Sequence, residues 1–227
     1  MTNAEECINS LHPCMGHKKR TLGPGEVIVA CYYSSIFNLF RLMTLNNISP
    51  KFPPHSQPLT DDDIQQVRTL LGRTPRGLVS IPIRSDTGLP AVIQVASLVD
   101  AKPFPTLFWL VDKSLSYEID RLEEVGVIAR YQTLVDESIE LQARLAENHR
   151  DYIDLRKQLM SPEHRGELES LGYMVTLDKR GIGGIEKFNR IRCLHTYYAA
   201  HLIQPNAIGA MVEAQWQSMG ISFSHLA

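Results

Sequence analysis

Arg190, Arg192, Cys193, His195 and His201 put two guanidinium groups, a thiol and two imidazoles into one short stretch of the chain. Such groups can bind anions, attack electrophiles, carry protons or hold a metal. Which of these they do depends on the element that carries them. The apolar spacing from Ile185 to Ile203 predicts a single helix, with Phe188, Ile191, Leu194, Tyr198 and Leu202 on one side and His195 among them. At about 100° per residue, Cys193 and His195 then point about 160° apart, and Cys193 and His201 stand about 12 Å apart along the axis. No two of the three can close on one ion from that helix, so neither a metal nor a cofactor is expected there. His195 reads either as a core histidine with satisfied nitrogens or as a titratable group at the floor of a pocket. Cys193 reads either as a small inert side chain or as a nucleophile beside Arg190 and Arg192.

Just upstream, Lys179-Arg180 leads into Gly181-Ile182-Gly183-Gly184. Residues 179–192 carry five basic side chains against the single Glu186, in a chain of net charge −2. Glycines that free backbone N–H groups before a helix N-terminus suit an anion. On that reading Arg180, Gly183 and Gly184 hold a phosphate together with Arg190 or Arg192, but not both, since these two differ by about 200° on the predicted helix. The other reading is an ordinary glycine turn, because the run lacks the lysine–threonine ending of a nucleotide-binding loop. Cys7, His12, Cys14 and His17 also place four metal-ligand types within eleven residues. Their spacing matches no common structural zinc pattern and reads as a fortuitous group in a tail.

The elements that must position these residues follow from the rest of the chain. Of its 227 residues 44% are apolar and 21% charged, an ordinary globular balance. Residues 1–59 hold five basic and three acidic side chains, which leaves 18 basic and 22 acidic in the remainder, or −4. An acidic body argues against nucleic acid as a partner. The four cysteines (7, 14, 31 and 193) include no C-x-x-C pair, which fits a reducing, cytoplasmic compartment better than a disulfide framework. Val27 to Met43 is interrupted by Asn38, Arg41 and Ser34-Ser35, short of the roughly 18 apolar residues that a membrane span needs. Residues 1–59 are read as an N-terminal extension, ending in the proline-rich stretch 51–58, and 60–227 as one domain.

Within that domain Thr60 and Asp63 form a capping box for a helix that Gly72 stops. Gly77 to Arg84, Leu89 to Leu98 and Thr106 to Val111 read as three strands of an antiparallel meander, with Ser85-Asp86-Thr87-Gly88 as the first turn. Ser114 can cap a helix that Gly126 ends. Ile128 to Met160 is a mixed-charge region in which Leu134, Leu141, Leu145, Tyr152, Leu155 and Leu159 recur at helical spacing, so it reads as an amphipathic helix or helix pair with a solvated outer face. Ser161-Pro162 opens another helix, and Pro205-Asn206 breaks the chain before the last. The fold class expected is α+β: a small antiparallel three-stranded sheet packed against several helices, with a long helical region and a helical C-terminal part.

Four stretches carry a family resemblance: Pro75-Arg76-Gly77-Leu78, Gly88-Leu89-Pro90-Ala91-Val92, Pro103-Phe104-Pro105-Thr106-Leu107-Phe108-Trp109-Leu110, and Arg192-Cys193-Leu194-His195 followed by Asn206 and Gly209. From about Thr60 to Trp216 the chain resembles the bacterial family catalogued as domain of unknown function 501. The resemblance implies no reaction. Arg76 and Asn206, which stand in these stretches, complete the ligand-binding candidates. Two functions of different classes fit: a cytosolic binding domain for a small ligand or a phosphorylated one, enzymatic or not, with its pocket near the glycines and His195; or a non-enzymatic adaptor whose 128–160 helices engage a partner protein or a second copy.

The change in character near residue 60 generates a test. A chain shortened to begin at Pro58 should keep its cooperative melt at nearly the same midpoint. A fall of several degrees in a thermal scan would place the domain edge further upstream.

Overall fold

The computed structural model describes residues 58–223, all within the second of the two units, 1–47 and 48–227, into which the chain divides. The Cys7–His17 group and the extension up to residue 57 lie outside the described residues. Helix α1 (Asp61–Leu71) begins as the Thr-x-x-Asp spacing predicts: Asp63 N–H donates to Thr60 Oγ1 at 3.1 Å and Thr60 N–H to Asp63 Oδ2 at 3.0 Å. Gly72 ends it in the left-handed region at φ 71°.

Strands β1 (Leu78–Arg84), β2 (Pro90–Val95) and β5 (Phe108–Leu110) form an antiparallel sheet in the order β1-β2-β5. Pro82 sits in β1, an edge strand, where its missing N–H does least harm. β2 is buried along its whole length, and α1 covers one face by packing Val67 on Ile93, Val95 and Val111. The second strand was expected to reach Leu98. It stops at Val95 because the chain turns into a separate hairpin, β3 (Leu98–Val99) and β4 (Lys102–Pro103), through Asp100 and Ala101 at φ 52° and 57°.

Helix α2 (Lys113–Glu124) is capped by Asp112 rather than Ser114, because the Asp112 carboxylate accepts from Leu115 N–H at 2.9 Å. Gly126 at φ 77° turns the chain into α3 (Val127–Glu137), and Ser138 breaks the long mixed-charge region by capping α4 (Ile139–Leu159). There follow α5 (Pro162–Ser170), α6 (Met174–Leu177), a 3₁₀ turn over Ile182–Gly184, α7 (Leu194–Ile203) and α8 (Ala207–Ser218). Eight α-helices around a small antiparallel sheet make the described domain α+β, as the sequence pattern requires. Among the described residues no helix is long and apolar enough to cross a membrane.

α4 buries an apolar face, as its amphipathic spacing predicts, and it buries polar and charged side chains as well. Asn148, His149, Tyr152 and Arg156 fall along a stripe at intervals of three and four, and all are buried. Each satisfies backbone groups of loops or of helix ends. Asn148 Oδ1 accepts from Ala207 N–H at 2.9 Å, His149 Nδ1 from Ile182 N–H at 3.0 Å, and Tyr152 Oη from Leu107 N–H at 2.7 Å. Arg156 donates to the carbonyls of Leu177 at 2.8 Å and of Pro105 and Arg180 at 2.7 Å, with its guanidinium 5.3 Å from the Tyr152 ring centre. Because Nδ1 of His149 is an acceptor, its proton is on Nε2, which reaches Tyr197 Oη at 3.0 Å; that hydroxyl donates to Arg190 O at 3.1 Å. Burial holds His149 neutral by pushing its pKa down to about 4.

Two outcomes follow from this stripe. Arg156→Met takes the guanidinium donor from the half-buried Pro105 and Arg180 carbonyls and leaves Leu177 O with Arg180 N–H alone, and should lower the unfolding free energy by about 2–3 kcal/mol, with Arg156→Lys recovering part of the loss. Urea titrations check this, and a loss under about 1 kcal/mol would contradict it. For His149 the unfolded side chain binds its proton near pH 6.5 and the folded one only near 4. Stability is therefore full above the unfolded value and declines as pH falls from 6.5 towards 4, by on the order of 3 kcal/mol from this group. Unfolding measured between pH 4 and 7 should show that slope in the wild type and a flatter one in His149→Gln; identical slopes would mean that the imidazole titrates alike in the folded and unfolded chain.

Candidate functional site

The glycine run does its work inside the fold. Gly181 N–H donates to Ile185 O at 2.8 Å, Ile182 N–H to His149, Gly184 N–H to Gly181 O at 3.0 Å and Ile185 N–H to Ile182 O at 3.2 Å. A Cβ on Gly181 would stand 2.2 Å from His149 Nδ1, and one on Gly183, at φ 62°, 2.7 Å from Thr196 Oγ1. Close packing and a left-handed turn account for these glycines.

The helix expected from Ile185 starts only at Leu194. Tertiary partners hold residues 185–193 in an irregular path instead. Gln132 of α3 grips it from both sides, donating through Nε2 to Asn189 O at 2.9 Å and accepting through Oε1 from Ile191 N–H at 3.0 Å. Tyr197 holds Arg190 O, and Phe188 stacks on His149 with ring centres 4.7 Å apart. Cys193 is thus the extended residue before α7, at φ −150° and ψ 122°. The helical-phase argument that separated Cys193 from His195, and Arg190 from Arg192, therefore fails.

Cys193 and His195 instead converge: Sγ lies 3.8 Å from His195 Nδ1. Two carboxylates of α2 complete the group. Glu123 Oε1 is 3.5 Å from His195 Nδ1 and Asp120 Oδ1 is 3.4 Å from His195 Nε2. Glu123 Oε1 also accepts from Leu194 N–H at 2.6 Å, which caps α7 from another helix and fixes the carboxylate. One ligand atom from each of Glu123, Cys193 and His195 lies within 4.8 Å of the others. The His195 and Glu123 side chains keep 25% and 27% of their surface, so the group is reachable from solvent, and Asp120 is at the rim. The Cys193 sulfur beside Nδ1 raises the His195 pKa above its ordinary value against burial, and Glu123 and Asp120 push the same way.

The other candidates stand apart. Arg76 pairs with Asp100 on the surface, Arg180 reaches Gly184 O and Glu186 at 3.3 Å, Arg190 reaches Asp136 at 3.6 Å, and Arg192 is exposed. His201 and Asn206 are buried at the α7–α8 junction. Asn206 N–H donates to His201 Nδ1 at 2.9 Å, its side chain donates to Tyr197 O at 2.8 Å, and its Oδ1 caps α8 by accepting from Gly209 N–H at 2.9 Å. A Cβ on Gly209 would meet the His201 ring at 2.2 Å, which accounts for that glycine. Sequence reasoning missed Asp120 and Glu123. Their one signal is an i, i+3 pair of carboxylates on a helix, which looks like any solvated face.

No curated protein and no solved structure matches the chain. A family model described as a protein of unknown function, DUF501, matches residues 81–214, a span that includes most of the sheet and every residue of the cluster. The chain therefore belongs to the DUF501 family of proteins of unknown function.

Proposed function

We propose that the chain is a small-ligand-binding protein and that its binding centre is the group formed by Glu123, Cys193 and His195 with Asp120 at the rim. The observation that carries this reading is the convergence of a sulfur, an imidazole nitrogen and a carboxylate oxygen within 4.8 Å at a solvent-reachable position. Three electron-pair donors gathered from two elements distant in sequence favour a ligand that is cationic or electrophilic. The two carboxylates repel an anion at this place. A phosphorylated ligand would have to use the 179–192 segment, where most of the turn's amides and both Arg180 and Arg190 already have partners. The partner-docking reading of residues 128–160 draws little support, since Leu145, Tyr152 and Leu155 are buried inside the domain.

A thermal-shift panel of divalent metals, thiol-reactive electrophiles, phosphates and nucleotides tests this, because a ligand that binds only the folded chain raises its midpoint. The stabilising member should lose its effect in Cys193→Ala and His195→Ala and keep it in Arg180→Ala. A stabilisation that survives both cluster variants and disappears in Arg180→Ala or Arg190→Ala would move the site to the basic segment. A panel with no stabilising member would overturn the reading.

A further inference from the structure

The geometry points to a bound transition-metal ion of the zinc class, ligated by Cys193 Sγ, His195 Nδ1 and a Glu123 carboxylate oxygen, with Asp120 as the outer carboxylate that orients the imidazole. This inference rests on the binding centre proposed above and names its ligand. The expectation that no metal sits here came from a helix that begins too late to separate the two side chains.

Distances provide the first argument. Zinc bonds of about 2.3 Å to sulfur and about 2.0–2.1 Å to nitrogen or oxygen, at tetrahedral angles, give S···N and N···O edges of about 3.6 and 3.3 Å. The Cys193 Sγ···His195 Nδ1 and His195 Nδ1···Glu123 Oε1 separations are 3.8 and 3.5 Å. Two of the three edges already stand close to the size of a coordination tetrahedron, so an ion needs only small side-chain adjustments.

The donor types provide the second. One thiolate, one imidazole and one carboxylate suit a borderline ion and not calcium or magnesium, which take oxygen ligands. Deprotonated on binding the ion, Cys193 contributes with Glu123 two negative charges that a divalent cation compensates.

Orientation provides the third. A metal-ligating histidine generally donates its second N–H to a carboxylate or carbonyl, which fixes tautomer and ring angle. Asp120 stands 3.4 Å from His195 Nε2, on the ring edge opposite the sulfur. With the proton on Nε2, the Nδ1 lone pair faces Cys193 and Glu123. Glu123 is itself held by the backbone N–H of Leu194 at 2.6 Å. Three protein ligands leave a fourth position for water or substrate, facing the solvent-reachable side of the group.

Cobalt(II) titrated into the full-length chain under reducing conditions tests the inference. It should produce thiolate-to-cobalt absorption in the near ultraviolet and intense visible bands of a tetrahedral site, saturating at one ion per chain. Cys193→Ser should abolish the near-ultraviolet band, whereas a Cys7→Ser/Cys14→Ser chain should retain it. Asp120→Asn, at an exposed position that leaves folding intact, should weaken cobalt and zinc binding about 10- to 100-fold with the bands unchanged in position. Bands that persist in Cys193→Ser and vanish in the Cys7/Cys14 variant would overturn the inference, as would undiminished affinity in Asp120→Asn. Absence of cobalt and zinc binding overturns it too; if an electrophile still protects through Cys193 and His195, the binding centre stands and only the metal is lost.

Discussion

Buried backbone polar groups must find partners, and in this domain one helix supplies them to several separate segments. Asn148, His149, Tyr152 and Arg156 of α4 reach the chain at Ala207, Ile182, Leu107, Pro105, Leu177 and Arg180. An unpartnered buried N–H or C=O is destabilising by about 1–3 kcal/mol, so each contact fixes a loop that the small sheet could not fix alone. The three-stranded sheet has one fully buried strand and too little area to organise so much irregular chain. The arrangement places Arg156, a cation, among carbonyl oxygens instead of opposite a carboxylate. Its partners are fixed main-chain dipoles, which makes the guanidinium a connector of three segments and not a member of an ion pair.

The candidate site depends on this scaffold at one remove. His149 holds the turn at Ile182 and, through Tyr197, the carbonyl of Arg190. Those contacts, with the grip of Gln132 on Asn189 and Ile191, keep residues 185–193 out of the helix that their own periodicity favours. The late start of α7 turns Cys193 towards His195. Glu123 then serves two ends, capping α7 through Leu194 N–H and facing the imidazole. A structural requirement, a partner for the first N–H of a helix, thereby places a carboxylate in the site.

Local chemistry alone determined a large part of this protein. The capping box at Thr60, the stops at Gly72 and Gly126 and the helix pair in 128–160 are set by contacts within a few residues, and the strands of the meander by their own alternation and turn residues; such signals are legible in the sequence. The Cys193-Leu194-His195 stretch was legible as chemistry for the same reason. What the tertiary structure decided is where long-range partners outweigh local preference. Arg156 and His149 look like outer-face residues, since their loop partners stand 21 to 51 positions away. The helix from Ile185 is lost because Gln132, Tyr197 and Glu123 offer its backbone better partners than a further turn would. Asp120 and Glu123 join a site about seventy residues downstream, and side-chain spacing carries no record of a meeting over that distance.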